Sequence, residues 1–409
     1  LRLGYTTLES AGLNEALVKA RVDSIMQQGI DKNAFPGAQL LVARDNTVIF
    51  HETYGYHTFD AHKKVQKDDL YDMASVTKIA AALPVFLKLV DDRIIDLDTP
   101  FSAYWPLWKK HDDKRHLTVR QILAHQAGLI PYIVFASQVM RKGTFKKRFI
   151  RTESTKRFSI PVYEGLYLNK NFMKRINKVT SKSEVSPQKK YKYSGLVFLL
   201  VPQLAEKYLK MPYEQFLQEY IYRPLGASSL GFNPKKYYDL EKIIPTENDD
   251  FFRKAQVHGY VHDENAALLG GVSGNAGLFG TANDMAKLMQ LYLNKGSYGG
   301  HRYFSEATMN EFTRTQFPEN GNKRGLGFDK PLIDNDKLKL SQASPAPEAS
   351  KSSFGHGGFT GTYVWADPEH DLVFIFLSNR VYPTRLHRNL YALNIRPALM
   401  QIFYQEVSR

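Results

Sequence analysis

One serine in this chain has neighbours that could make it a nucleophile. It stands in Ala74-Ser75-Val76-Thr77-Lys78. A serine hydroxyl attacks carbonyls poorly unless a base sits within hydrogen-bond reach. Residues three apart share one face of a helix, so Ser75 and Lys78 touch if a helix begins near Ser75. Both the helix N-terminus and burial disfavour an ammonium, which suits a lysine acting as base. A second segment, Tyr191-Lys192-Tyr193-Ser194-Gly195-Leu196, offers a tyrosine beside a lysine, a pair able to pass a proton to a leaving group. The third, Phe354-Gly355-His356-Gly357-Gly358-Phe359-Thr360-Gly361-Thr362, is rich in glycine. Glycines let a backbone N–H come close to a ligand, as an oxyanion hole requires. Each segment also has a plainer reading: a capping serine with a solvated lysine, one of 24 tyrosines, and a turn entering an edge strand.

The surrounding elements decide whether the three segments can meet. Residues 12–30 carry Leu13, Leu17, Val22 and Ile25 at helical spacing. Gln39–Arg44 and Thr47–Tyr54 are β-rich runs around Asp45-Asn46, a hairpin signal. Thr362–Ala366 and Leu372–Ser378 repeat that pattern, and Leu390–Val407 closes the chain as a helix. Between these ends, Val76–Val90 (interrupted by Pro84), Thr118–His125, Tyr193–Tyr208, Tyr213–Tyr220 and Asp284–Leu293 read as helices. The expectation is an α+β fold: an antiparallel sheet, flanked by helices, drawn from both chain ends. Residues 1–70 and 272–409 would form the sheet domain and 71–271 an inserted, mostly helical domain, with the active site between them. Ser341–Ser353 is of low complexity and reads as a mobile loop.

Composition narrows the class. The 409 residues are 43% apolar, too many for a disordered chain, and no run of apolar residues is long enough to span a bilayer. There is no cysteine, which removes disulfides, thiolate metal sites and a cysteine nucleophile together. The net charge is +14. Nearly all of it lies between Arg141 and Lys192, where sixteen basic residues face three acids, Glu153, Glu164 and Glu184. The opening from Leu1 has no basic stretch followed by an apolar core, so it does not read as a signal peptide. A chain that starts this way reads as a mature or excised piece of something longer.

Taken together and in order, the three segments resemble those of the class C β-lactamase, penicillin-binding-protein and esterase superfamily. Ser75-x-x-Lys78 matches the first box, Tyr193 the tyrosine box and His356-Gly357-Gly358 the third. Leu117–Leu129 (LTVRQILAHQAGL) and Ala276–Ala282 (AGLFGTA) resemble two further family stretches. Val261–Ala266, Leu269–Asn275 and Phe359–Thr362 leading into Leu377–Pro383 resemble one branch in particular. That branch comprises N-acetylmuramoyl-L-alanine amidases acting beside, or fused to, a family-3 β-N-acetylglucosaminidase. The resemblance implies an acyl-enzyme on Ser75, with Lys78, alone or paired with Tyr193, taking the serine proton. The N–H groups of Ser75 and Phe359 would hold the oxyanion, and Tyr193, aided by His356, would protonate the leaving group. Gly195, Gly357 and Gly358 would line the substrate.

The implied reaction is amide hydrolysis in peptidoglycan-derived muropeptides, with no cofactor and no metal. The alternatives are an esterase, a D-amino-acid peptidase or a weak β-lactamase with the same serine chemistry. Two departures from the family pattern argue against efficient β-lactam hydrolysis. Gly195 stands where β-lactamases place an asparagine, and His356 replaces a lysine of constant charge. His258-x-x-x-His262-Asp263 has metal-like spacing, but Gly259 and Gly270 speak against a rigid helix there. His125 is expected to hydrogen-bond structurally. The basic block suggests steering of anionic substrates or contact with an anionic surface, against the plainer reading of a solvated loop. No nucleic-acid-binding motif accompanies it. A wall-derived substrate implies an extracytoplasmic location.

Overall fold

The computed structural model describes residues 1–408. Along the chain come β1 (Gly4–Tyr5), α1 (Glu15–Asp31), β2 (Gly37–Arg44) and β3 (Thr47–Gly55), then α2 (Leu83–Asp91). Next are the short strands β4 (Ile150–Arg151), β5 (Phe158–Tyr163) and β6 (Leu166–Asn169), followed by α3 (Phe172–Lys182) and α4 (Val201–Leu209). The chain continues with α5 (Ala282–Leu293), β7 (Phe354–Gly358), β8 (Thr362–Asp367), β9 (Leu372–Ser378) and α6 (Ile395–Val407). The main sheet has the order β1-β3-β2-β9-β8-β7, so strands from the two chain ends meet at the β2–β9 pair. Every pairing in it is antiparallel except β1 on β3, which is parallel. The sheet is therefore mixed rather than purely antiparallel.

Side-chain alternation explains why helices cover both faces. Leu40 and Val42 of β2, with Phe374 and Phe376 of β9, pack with Val18 and Val22 of α1 and Phe403 of α6. Leu41 and Ala43, with Val373, Ile375 and Leu377, face the opposite core, which includes Met285, Leu288 and Tyr292 of α5. Strands covered on both sides read as near-continuous apolar runs, as these do. The Asp45-Asn46 hairpin forms, both residues having positive φ (49° and 61°), the geometry of a tight primed turn.

The segment entering α2 departs from a plain helix. A tight turn at Ala74–Val76 is followed by a wide π turn over Lys78–Ala82 before α2 begins. Pro84 has no N–H to give the carbonyl of Ala80. The buried Tyr222 hydroxyl fills that place, donating to Ala80 O at 2.7 Å, and Tyr292 likewise donates to Ile79 O at 2.6 Å. The helix expected over Thr118–His125 is shorter, Val119–Leu123, set by a capping box of Thr118 and Gln121.

Three expectations are corrected. Within residues 71–271, expected to be mostly helical, the basic segment carries the three-stranded sheet β4-β6-β5. Ile150, Val162, Leu168, Phe172 and Ile176 bury one side of that segment in a third core shared with Phe135, Leu199 and Phe252, so it is not a solvated loop. Tyr193–Tyr208 is not one helix, and Tyr193, Ser194 and Gly195 precede it in extended coil. Their backbone donors are spent across the chain: Lys192 N–H on His125 O, Ser194 N–H on His125 Nδ1 and Gly195 N–H on Pro131 O. Finally, Ser341–Ser353 is anchored. Ala346, Ala349 and Ser353 are buried, and Asp367 of β8 accepts the Ser350 N–H.

Candidate active site

Ser75 sits in the tight turn between the Tyr71–Asp72 strand and the π turn that carries Lys78. The turn is fixed from several sides. Buried Asp72 accepts the Ala74 N–H at 2.8 Å and the His262 N–H at 2.7 Å, while the Thr360 hydroxyl donates to its carbonyl. Burial pushes the Asp72 carboxyl up despite these hydrogen bonds. Ala74 holds φ +47°, a left-handed conformation uncommon outside glycine. Lys78 is 3% exposed, and its Nζ lies 3.0 Å from Ser75 Oγ and 3.1 Å from the carbonyl of Asn275. The nucleophile and its candidate base are thus in proton-transfer contact.

Tyr193 arrives from the other wall. Its ring lies 4.6 Å from the His125 ring, with Lys78 Nζ 5.0 Å and the Arg324 guanidinium 5.3 Å from its centroid. The Tyr193 hydroxyl is shielded from solvent and has no hydrogen-bond partner among the described residues. A buried hydroxyl without a partner is costly unless a ligand completes it. His125 is buried, takes the Ser194 N–H on Nδ1 and carries φ +56°. It hangs the Tyr193 segment in place, the structural role expected of it.

His356 differs from expectation. Burial first, then the nearby Arg324 and Lys78 charges, lower its pKa to about 3, so the ring is neutral. Nδ1 faces Gly357 O at 2.7 Å and Nε2 faces Arg324 Nη2 at 3.2 Å. A carbonyl can only accept and a guanidinium can only donate, which fixes the proton on Nδ1. Both ring nitrogens are committed, and the ring centroid is 5.9 Å from that of Tyr193. Without substrate, the His356 Nδ1–H is engaged by a carbonyl and Nε2 accepts from Arg324, which the ring helps to position.

The glycines divide. A Cβ on Gly358 would meet Thr362 Oγ1 at 2.1 Å and Met73 O at 2.6 Å, so this glycine lets β7 press against the Ser75 turn. That packing accounts for a glycine at this position. Gly195 faces Lys78, whose Nζ is 3.8 Å from where its Cβ would be, and Gly357 lies against the Tyr363 ring. Phe359 is 42% exposed beside Ser75, with the Arg380 guanidinium 4.4 Å from its ring centroid.

A cavity of about 340 Å³ opens at Ser75, bounded by Tyr132, Phe251, His262, Asp263, Phe359 and Arg385 among others. Asp263 accepts from Asn275 Nδ2 at 3.0 Å, and Arg385 bridges Glu264 at 2.7 Å and Glu247 at 2.7 Å. Arg324, Arg385 and Asn275 escaped the sequence reading as site residues. Arg324 lies in a stretch without periodicity or motif, and only folding brings it to His356. His258 bonds the carbonyl of Ile243 and His262 pairs with Glu247, so the two histidines serve different partners.

Fold and site together define a serine hydrolase with the sheet-and-helix architecture of β-lactamases and penicillin-binding proteins. Residues 22–396 match the family described as Beta-lactamase, and the chain belongs to that family. A protein of Salmonella typhimurium provisionally named a D-alanyl-D-alanine carboxypeptidase is 31% identical over 410 residues, covering 92% of this chain and 87% of its own. Among solved structures, EstCE1, described as a hydrolase with promiscuous acyltransferase activity, superposes with a TM-score of 0.65 at 19% identity. That match covers 93% of this chain and 98% of EstCE1. A penicillin-binding-protein homologue from Caulobacter crescentus gives 0.63 at 17% identity, covering 94% and 97%. These structural likenesses concern the fold.

Proposed function

We propose that the chain hydrolyses an amide bond in peptidoglycan-derived muropeptides through an acyl-enzyme on Ser75. Ser75 Oγ bonds the carbonyl carbon as its proton passes to Lys78. The N–H groups of Ser75 and Phe359 hold the oxyanion, each donor being worth roughly 3–4 kcal/mol in such sites. The C–N bond then breaks as Tyr193 gives its hydroxyl proton to the departing nitrogen, and Lys78 returns the serine proton to Tyr193. Water reverses the relay and frees the acid. The observation that carries amide chemistry is the solvent-shielded Tyr193 hydroxyl with no partner. An amine leaves only when protonated, and this is the one described hydroxyl beside Lys78 free to do it.

The muropeptide assignment draws support from two sources. The chain runs that resemble muramoyl-L-alanine amidases supply His262, Asp263, Glu264 and Asn275 to the cavity wall. The relatives carry a name tied to D-alanyl peptides. That name, with the unpartnered Nε of buried Arg324 beside Tyr193, favours a second reading, a carboxypeptidase that would hold a terminal carboxylate there. On this reading the enzyme works outside the cytoplasm, where wall-derived substrate arises, and a fused or associated β-N-acetylglucosaminidase would supply that substrate. No helix among the described residues is long and apolar enough to cross a membrane.

A muramyl pentapeptide separates the readings. Release of the intact pentapeptide supports the amidase, and release of D-alanine alone supports the carboxypeptidase. Neither product, with turnover of simple esters intact, overturns both.

A further inference from the structure

The sixteen cations of residues 141–192 are carried by a folded segment with a buried side. Fourteen of them are exposed, Lys146 and Lys189 being half-buried. None has a carboxylate within salt-bridge distance among the described residues. Of the block's own acids, Glu164 is taken by Lys235 from outside it. On the adjoining 111–116 turn, Asp112 is paired with Arg115 and Asp113 with Lys114. Unpaired cations on a folded scaffold repel one another, a cost that an anionic partner relieves.

Helix α3 gives the face its form. Phe172, Ile176 and Thr180 point into the core, and Lys174, Arg175, Lys178 and Lys182 are exposed. Two open depressions flank the helix. One, of about 440 Å³, has Ile130, Ile133 and Val179 as its apolar lining and Arg175, Lys178 and Lys182 as its cations. The other, of about 350 Å³, sets half-exposed Leu107 among Lys110, Lys174, Lys178 and Lys182. An apolar patch within a cationic border suits a ligand that is itself anionic at one end and apolar at the other. A nucleic acid would use the charge but not the aliphatic linings, and the two depressions together offer a base a single ring, His111, on which to stack.

We propose that the α3 face docks the enzyme on an anionic lipid bilayer. Headgroup phosphates would sit among Lys174, Arg175, Lys178 and Lys182, with the aliphatic linings meeting the acyl boundary. The placement is functional because the 130–134 segment alternates between two sides. Ile130 and Ile133 line the α3 depression, while Tyr132 and Val134 line the cavity at Ser75. Docking through α3 therefore sets the catalytic cleft beside the membrane surface.

The test is flotation of the full chain with vesicles of phosphatidylcholine, with and without phosphatidylglycerol, across a salt series. Binding should require phosphatidylglycerol and weaken as salt rises. The triple variant Lys174→Gln, Lys178→Gln, Lys182→Gln should lose roughly a hundredfold in vesicle affinity. It should keep full activity on a small soluble ester, which shows that it is folded. Equal binding to both vesicle types would overturn the proposal, as would a triple variant that floats like the parent. Tighter binding to duplex DNA than to the anionic vesicles at the same salt would also overturn it.

Discussion

The two halves of the cleft are built on opposite plans. On the nucleophile side, the side chains that set the Ser75–Lys78 pair have their partners before any substrate arrives. Asp72 takes two N–H groups, Thr77 Oγ1 accepts the Leu278 N–H, and Lys78 spans Ser75 and Asn275. On the Tyr193 side the backbone is coil strung on His125, and the tyrosine is held by ring contacts while its hydroxyl has no hydrogen-bond partner among the described residues. Preorganisation serves a group that must attack at a fixed angle. An unsatisfied donor serves a group whose partner, the leaving nitrogen, comes with the substrate. In the proposed mechanism, attack falls to the rigid wall and protonation to the open one.

Breaking the rigid wall has the larger effect. Lys78→Ala removes the base and should lower kcat by about 10³–10⁴-fold for every acyl substrate, amide or ester. A loss confined to amides would move Lys78 to the protonation step. Tyr193→Phe should cost about 10²–10³-fold on amides and far less on an activated ester such as a nitrophenyl acetate, whose leaving group needs no proton. Equal losses on both would merge the two walls into one function.

Gly358→Ala sharpens the comparison through stability. Its methyl would push β7 off Thr362 and Met73, so denaturant unfolding should show a loss of about 2 kcal/mol together with reduced activity. Gly357→Ala on the same strand, where the nearest atom is 3.4 Å away, should cost little stability.

The smallest effect concerns pH. His356 is lowered to about 3, chiefly by burial, and His51 to about 4, again chiefly by burial. Below the ordinary histidine value the unfolded chain binds protons that the folded chain refuses. The stability these rings contribute is therefore complete above about pH 6.5 and is lost as pH falls towards about 3 to 4. Denaturation midpoints should fall accordingly on acidification. The pH–rate profile should carry no inflection near neutrality from His356, and one abolished by His356→Asn would return that residue to catalysis.

What was readable in the sequence follows from distance along the chain. Ser75 and Lys78 stand three residues apart on one turn, the Asp45-Asn46 hairpin is wholly local, and the apolar runs of β2, β8 and β9 announce a sheet covered on both faces. Arg324 reaches His356 from 32 positions away, and no spacing rule could have placed it there. That contact, with the carbonyl of Gly357, gives both nitrogens of a ring expected to aid Tyr193 partners that the sequence did not announce. Tyr193 escaped its expected helix because His125 and Pro131 took its segment's N–H groups. Ser341–Ser353 reads as loose by composition, yet the buried carboxylate of Asp367 on β8 takes the Ser350 N–H.

The central claim is that Ser75, set against Lys78, forms the covalent acyl-enzyme. Intact-mass spectrometry after exposure to a serine-directed phosphonate tests it directly, with peptide mapping of the product. The account predicts one adduct per chain, located on Ser75, absent in Ser75→Ala and slowed strongly in Lys78→Ala. An adduct on another residue, or none on a folded chain that still hydrolyses amides, would contradict it.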